Sequence, residues 1–244
     1  SISPFFLDLF DFLNFHNSKT KLIIILCFYM KKQISISKTG KYSQSGKYSK
    51  KINSVWIVLH GYGMLSEFFI KKFDCIINDT TLVIAPEATN RFYLSNNYNR
   101  VGASWMTKLD RNEEIRDNIL FLNKLFSIIK KEIGHDNFKL NTLGFSQGGP
   151  ALVRWLMSNR LNINSLILWG SDIPKDSLII ENKSRWNSMN LKIVIGKHDE
   201  YINEEKKQEF IRLVKSYGLK YELIEYEGSH KITEEELKKI ANSL

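Results

Sequence analysis

Three side chains, read in chain order, are equipped for acyl transfer: Ser146 in GFSQGG, Asp199 in GKHDEYI and His230 in EGSHKI. A serine hydroxyl is a poor nucleophile near neutral pH. It needs a base to take its proton, and the base needs an acid to hold its tautomer. The Gly-x-Ser-x-Gly pattern alone recurs by chance, so the stricter requirement is mechanical. The serine must sit on a sharp strand-to-helix turn with small residues two before and two after it, because larger side chains would collide across the turn. Gly144 and Gly148 meet that requirement, with the apolar run NFKLNTLGF (137–145) before them and the amphipathic PALVRWLMSN (150–159) after. Pro150 is tolerated so early in a helix because a first-turn amide has no intrahelical partner.

Downstream of Ser146 there are two histidines, His198 and His230. His230 lies in a short loop between the last apolar strand and the final helix, which suits a general base. His198 adjoins Asp199, and adjacent side chains on an irregular loop seldom supply the acid and base of one triad. Asp199 is therefore read as the acid and His198 as a bystander, with Asp172 in GSDIP as the competing acid. Negative charge developing on the substrate oxygen needs two backbone N–H donors. Gln147 supplies one at the start of its helix. The loop His60-Gly61-Tyr62-Gly63 after SVWIVL supplies the other, assigned to Tyr62 with its neighbour Gly63 as the alternative, its glycines letting backbone approach substrate closely.

Hydrophobic periodicity indicates what positions these groups. Expected strands are SVWIVLHG (54–61), TLVIAPEA (81–88), NFKLNTLGF, SLILWG (165–170), LKIVIG (191–196) and KYELIEYEG (220–228). Between them, helical spacing is expected at 65–76, 113–133, 150–159, 203–218 and 233–244, the last opening with a Thr233/Glu236 capping box. QISIS (33–37) and the GKYS copies at 40–43 and 46–49 predict a small N-terminal antiparallel hairpin, and the polar stretch 90–104 a loop. Strand and helix alternate, so the fold class is α/β: a mostly parallel, doubly wound sheet flanked by helices, with its site at the carboxyl ends of the strands.

Composition narrows the function. The 244 residues, 43% hydrophobic and 25% charged, suit one globular domain. The net charge of +9 is concentrated at the N-terminus: residues 1–51 hold nine lysines against Asp8 and Asp11, or +7. The remainder is nearly neutral, which argues against a nucleic-acid partner. The apolar run LIIILCFYM (22–30) is too short to span a bilayer, which takes about 20 helical residues, so stable membrane insertion is not expected. It resembles a signal-peptide core but is followed by no small-residue cleavage site. Met30-Lys31-Lys32 fits a natural start, leaving 1–29 as upstream extension or N-terminal arm and 30–244 as one catalytic domain. Cys27 and Cys75 form no disulfide or metal pattern, consistent with a reducing, cytoplasmic compartment.

The segments VLHGYG, APEATNRFYL followed by GASW, LGFSQGG, IGKHDEYI and EGSH stand in the order found in the phospholipase/carboxylesterase group of α/β-hydrolases. Over about residues 54–244 the chain resembles that group, which includes acyl-protein thioesterases and small bacterial carboxylesterases. The resemblance implies the α/β-hydrolase fold and a serine esterase acting on small acyl esters of short to medium chain without cofactor or metal. Ser146, Asp199 and His230 match the family's triad, and Trp105 of GASW matches a tryptophan lining the acyl site. Thioesters and lysophospholipids are the alternative substrates, and a non-catalytic binding protein of the same fold is the remaining one. A homodimer is compatible with the sequence. Two departures bear on the substrate rather than the chemistry: HGYG lacks an acidic residue after its glycine, and Pro150 replaces a small residue.

Overall fold

A computed structural model describes residues 31–175 and 186–244; the apolar run at 22–30, the Met30 start and the middle of the 171–190 loop lie outside the described residues. The chain divides into two units, Ser1–Lys38 and Thr39–Leu244. In the first, residues 31–38 carry no regular secondary structure. In the second, seven strands form one sheet in the order β1 (Lys41–Ser45), β3 (Thr81–Glu87), β2 (Ser54–Leu59), β6 (Lys139–Phe145), β7 (Ser165–Trp169), β8 (Asn190–Gly196) and β9 (Glu222–Tyr226). Every neighbouring pair is parallel except β1 with β3.

The antiparallel pairing expected near the N-terminus is present, but with another partner. Lys41–Ser45 pairs with Glu87–Val83 at the sheet edge instead of with 33–37. A separate antiparallel ribbon forms where a loop was expected, from β4 (Asn90–Tyr93) and β5 (Val101–Ser104). Its four-residue strands are too short and too polar to show an alternating signature.

Side-chain alternation along the sheet builds two cores. Val55, Ile57, Leu59, Leu82, Ile84, Leu166, Leu168, Ile193 and Ile195 face one side. That side is covered by α2 (Arg111–Ile133), α3 (Gly148–Met157) and α4 (Glu204–Ser216), through Leu122, Leu125, Ile129, Leu152, Trp155, Phe210 and Val214. Trp56, Val58, Val83, Leu143, Ile167, Trp169 and Val194 face the other. There they meet Phe69 of α1 (Ser66–Phe69), Phe73 of the 3-10 turn Ile70–Ile76, and Leu237 and Ile240 of α5 (Glu234–Asn242). Each fully buried side chain of this size is worth about 1.5–3 kcal/mol before entropy is subtracted. The Thr233/Glu236 capping box does not form: Thr233 precedes α5 without a side-chain cap bond, its hydroxyl is buried without a partner, and Glu236 pairs with Lys239.

The order in which strands are added to the sheet reverses between the parallel neighbours β2 and β6, since β3 and β1 extend one way and β7, β8 and β9 the other. A crevice at the carboxyl ends of such a strand pair is where open α/β sheets bind ligands. His60–Gly63 and Ser146–Gln147 stand there, immediately after those two strands.

Candidate active site

Ser146 follows β6 directly and adopts left-handed backbone, φ +51°. This conformation costs a non-glycine residue about 1–2 kcal/mol, so the surroundings must hold it. The Ser146 amide donates to the Trp169 carbonyl on β7 (3.0 Å). Its own carbonyl accepts from the Gly149 amide (3.0 Å) and the Ser171 hydroxyl (2.7 Å). Both glycines of the motif are needed for packing. A Cβ at Gly144 would lie 2.7 Å from the Gly149 nitrogen, and one at Gly148 would lie 2.7 Å from the His60 carbonyl oxygen, backbone atoms that cannot move aside cheaply.

Asp199 and His230 come from the loops after β8 and β9. Asp199 Oδ2 lies 2.7 Å from His230 Nδ1, and Asp199 Oδ1 accepts from the Tyr201 and Ile202 amides, both at 2.9 Å. The carboxylate is 1% exposed and the imidazole 11%. A proton on Nδ1, facing that carboxylate oxygen, would leave Nε2 as an acceptor, the tautomer a general base requires. The ring packs between Phe145 and Tyr201, with centroids 4.8 Å away on each side. Gly170, at φ +53°, makes room for it: a Cβ there would lie 2.8 Å from His230 Cε1.

Further bonds hold the loops that carry this pair. His198 N donates to Gly228 O (2.9 Å), and His230 N donates to the Glu200 carboxylate (2.9 Å), which lowers the Glu200 pKa. The Tyr226 hydroxyl faces the Ser229 and Lys231 carbonyls at 2.8 and 2.5 Å. The His198 ring, 74% exposed, faces Glu227 instead. Asp172 lies in the same cleft, where loss of hydration pushes its carboxyl pKa upward, but the carboxylate in contact with His230 is that of Asp199. Of these supports, Ser171, Glu200, Gly170 and Tyr226 left no pattern in the sequence, although Glu200 adjoins Asp199.

The two expected donors of the second half of the site separate clearly. The Gly63 amide is committed to the Ala103 carbonyl (2.8 Å), which leaves the adjacent Tyr62 amide as the candidate donor. The Gln147 backbone opens α3, where the helix dipole favours negative charge. Trp105 differs from expectation. It is wholly buried, its indole N–H donates to the His60 carbonyl (2.8 Å), and it offers no surface to the cavity beside Ser146.

That cavity, about 540 Å³, is lined by Ser146, Gln147 and His230, by the apolar Pro150, Ile173, Pro174, Ile202, Phe210 and Leu213, and by charges on Arg111, Asp172, Lys175, Lys206 and Glu209. A larger cavity, about 830 Å³, lies at the amino ends of the strands. Its buried Asn141 donates to Ser54 and accepts from Asn164 and Ser165, which marks a structural network. Among the described residues, no cluster of three His, Cys, Asp or Glu is arranged to hold a metal, and no helix is long and apolar enough to cross a membrane.

Residues 45–244 match the sequence profile of the phospholipase/carboxylesterase family. A comparison with curated protein sequences finds no significant match. Solved structures of the same fold include acyl-protein thioesterase 2 from Zea mays (TM-score 0.62, 15% identity, covering 84% of this chain and 97% of that one). They also include esterase PE8 (0.59, 16%, 84% and 98%) and the Bacillus cereus carboxylesterase (0.58, 13%, 84% and 92%). At such identities the likeness is one of fold; with a profile match over most of the chain, the protein belongs to the phospholipase/carboxylesterase family of α/β-hydrolases.

Proposed function

We propose that the protein is a serine carboxylesterase that hydrolyses short- to medium-chain acyl esters through an acyl-enzyme, without a cofactor. The observation that carries this reading is the 2.7 Å Asp199–His230 pair opening onto the same cavity as Ser146, on its left-handed turn. His230 Nε2 takes the Ser146 proton as Oγ attacks the ester carbonyl, and the tetrahedral oxyanion lies against the Tyr62 and Gln147 amides. Protonated His230 then returns the proton to the departing alcohol. In the second half, water loses a proton to His230, attacks the acyl-enzyme and releases the acid while Ser146 is reprotonated. Asp199 stabilises the imidazolium in both halves. A cavity of about 540 Å³ is within the usual range for small-molecule sites, and its Ile173–Pro174–Ile202–Phe210 wall suits an acyl chain.

A fluorophosphonate probe tests the reading: it should label Ser146, and Ser146→Ala should lose both labelling and ester hydrolysis. A folded wild-type protein that is neither labelled nor active would defeat it. Thioesters are the second substrate class, favoured by the shared fold of the maize thioesterase. Matched oxygen and thiol esters over a series of acyl lengths separate the two.

A further inference from the structure

We propose that the segment Ala103–Met106 is a spacer that sets the separation of the two oxyanion donors, and that the Gln147 side chain is the positioning group that fastens it; this rests on the serine-esterase reading above. The loop carrying Tyr62 is pinned on both sides of that residue. Before it, the His60 carbonyl accepts from Trp105 Nε1 (2.8 Å). After it, the Gly63 amide donates to Ala103 O (2.8 Å), and the Ala103 amide donates to Met64 O (3.2 Å). The approach is close enough that a Cβ at Gly102 would lie 2.7 Å from Gly63 Cα.

The other end of the segment is held by Gln147. Its Oε1 accepts from the Trp105 amide (3.0 Å), and its Nε2 donates to Met106 O (2.9 Å) and Ser104 Oγ (3.0 Å). One planar amide thus grips three consecutive residues, while Trp105 is anchored by Asn118, whose Nδ2 donates to the Trp105 carbonyl (2.5 Å). Any residue at position 147 would supply the backbone donor. What glutamine adds is an acceptor and a donor on one rigid group, which ties the turn bearing one oxyanion amide to the loop bearing the other. The His60 ring completes the tie beneath. Its Nε2 accepts from the Ala88 amide (3.1 Å), which requires a neutral ring, and burial lowers its pKa accordingly. Oxyanion donors act only within about 2.7–3.1 Å of the charged oxygen, so a shift of a few tenths of an ångström between Tyr62 and Gln147 weakens one of the two bonds.

The test compares Gln147→Met, which keeps shape and backbone donor but loses every side-chain bond, with Gln147→Glu, which keeps the acceptor but replaces the donor by an oxygen, and with Trp105→Phe, which removes the indole donor to His60 together with part of a buried ring. In Gln147→Met and Trp105→Phe, kcat should fall about 10- to 100-fold with KM nearly unchanged, and the affinity of a boronic acid that forms a tetrahedral adduct should fall by the same factor; Gln147→Glu, whose second oxygen would face the Met106 carbonyl that Nε2 now binds, should fall at least as far. If Gln147→Met and Trp105→Phe both retain wild-type kcat, or lose kcat while boronate affinity is unchanged, the spacer proposal is overturned although Ser146 remains labelled and essential. A wild-type enzyme without serine labelling would instead overturn the esterase reading itself, and the spacer with it.

Discussion

Replacing Asp199 with asparagine removes one charge and almost no volume, and the structure dictates how the amide must turn. The carboxylate accepts three bonds: from His230 Nδ1 at 2.7 Å and from the Tyr201 and Ile202 amides at 2.9 Å each. Both backbone donors meet the same oxygen, Oδ1, so the asparagine oxygen takes that place and its NH2 faces the imidazole. An NH2 donating to Nδ1 drives the ring proton onto Nε2, the atom that must receive the Ser146 proton. The expected loss in kcat is about 10⁴-fold, roughly 5.4 kcal/mol at 1.36 kcal/mol per decade. Global stability should change far less, by about 1–2 kcal/mol, because the two backbone bonds survive and one charge-assisted bond becomes neutral. The assay is steady-state hydrolysis of a chromogenic short-chain ester, alongside urea unfolding. Asp172→Asn serves as the control, since Asp172 lies in the cleft without touching His230, and it should keep kcat within about threefold. If Asp199→Asn retains more than about a tenth of wild-type kcat while Asp172→Asn collapses, the assignment of the acid is wrong.

Gly148→Ala drives a methyl against the Leu59 and His60 carbonyls, so unfolding free energy should drop by about 1–3 kcal/mol, or the turn should shift and fluorophosphonate labelling slow markedly; an alanine variant that labels and unfolds like wild type would contradict the packing. His60 gives a pH dependence with a definite sign. Burial holds its folded pKa below 6.5, so between the two values the unfolded chain binds a proton that the folded chain does not. Its contribution is therefore present above pH 6.5 and erodes below it, by at most about 1.4 kcal/mol per pH unit, until the folded pKa is reached. Urea unfolding from pH 7.5 to 5 should show this loss, and His60→Gln should flatten the profile; equal slopes in the two proteins would refute the neutral-ring assignment.

The sequence by itself determined the scaffold and the places from which the candidate triad projects. Alternating apolar runs and helical spacings are local, so β2, β3, β6, β7, β8 and β9 and the helices α2 to α5 were legible within a few residues, whereas the helix expected at 65–76 is one α turn, Ser66–Phe69, running on as the 3-10 turn Ile70–Ile76. Ser146, Asp199 and His230 were legible for a related reason: in this topology each stands just after a strand, and the strands could be read. Other features depended on partners far along the chain. Lys41–Ser45 chose β3 because an edge was free there, not because its own pattern named a partner. Trp105 looked like a substrate contact because an aromatic beside a motif can face either way; a backbone carbonyl 45 residues away at His60 turned its indole inward. The Thr233/Glu236 pattern was sufficient for a capping box, yet Lys239 took the glutamate. Gly63 stood as the alternative to Tyr62, and only Ala103, 40 residues later, engages the Gly63 amide. Gln147 followed the same logic: its backbone role could be read from one turn of chain, whereas its side-chain grip on Ser104, Trp105 and Met106 arises only because parallel packing brings α3 against the end of β5. Periodicity and strand order are properties of neighbouring residues. The hydrogen-bond choices that orient the site are made between segments about 40 residues apart, and they exist only once the chain has closed.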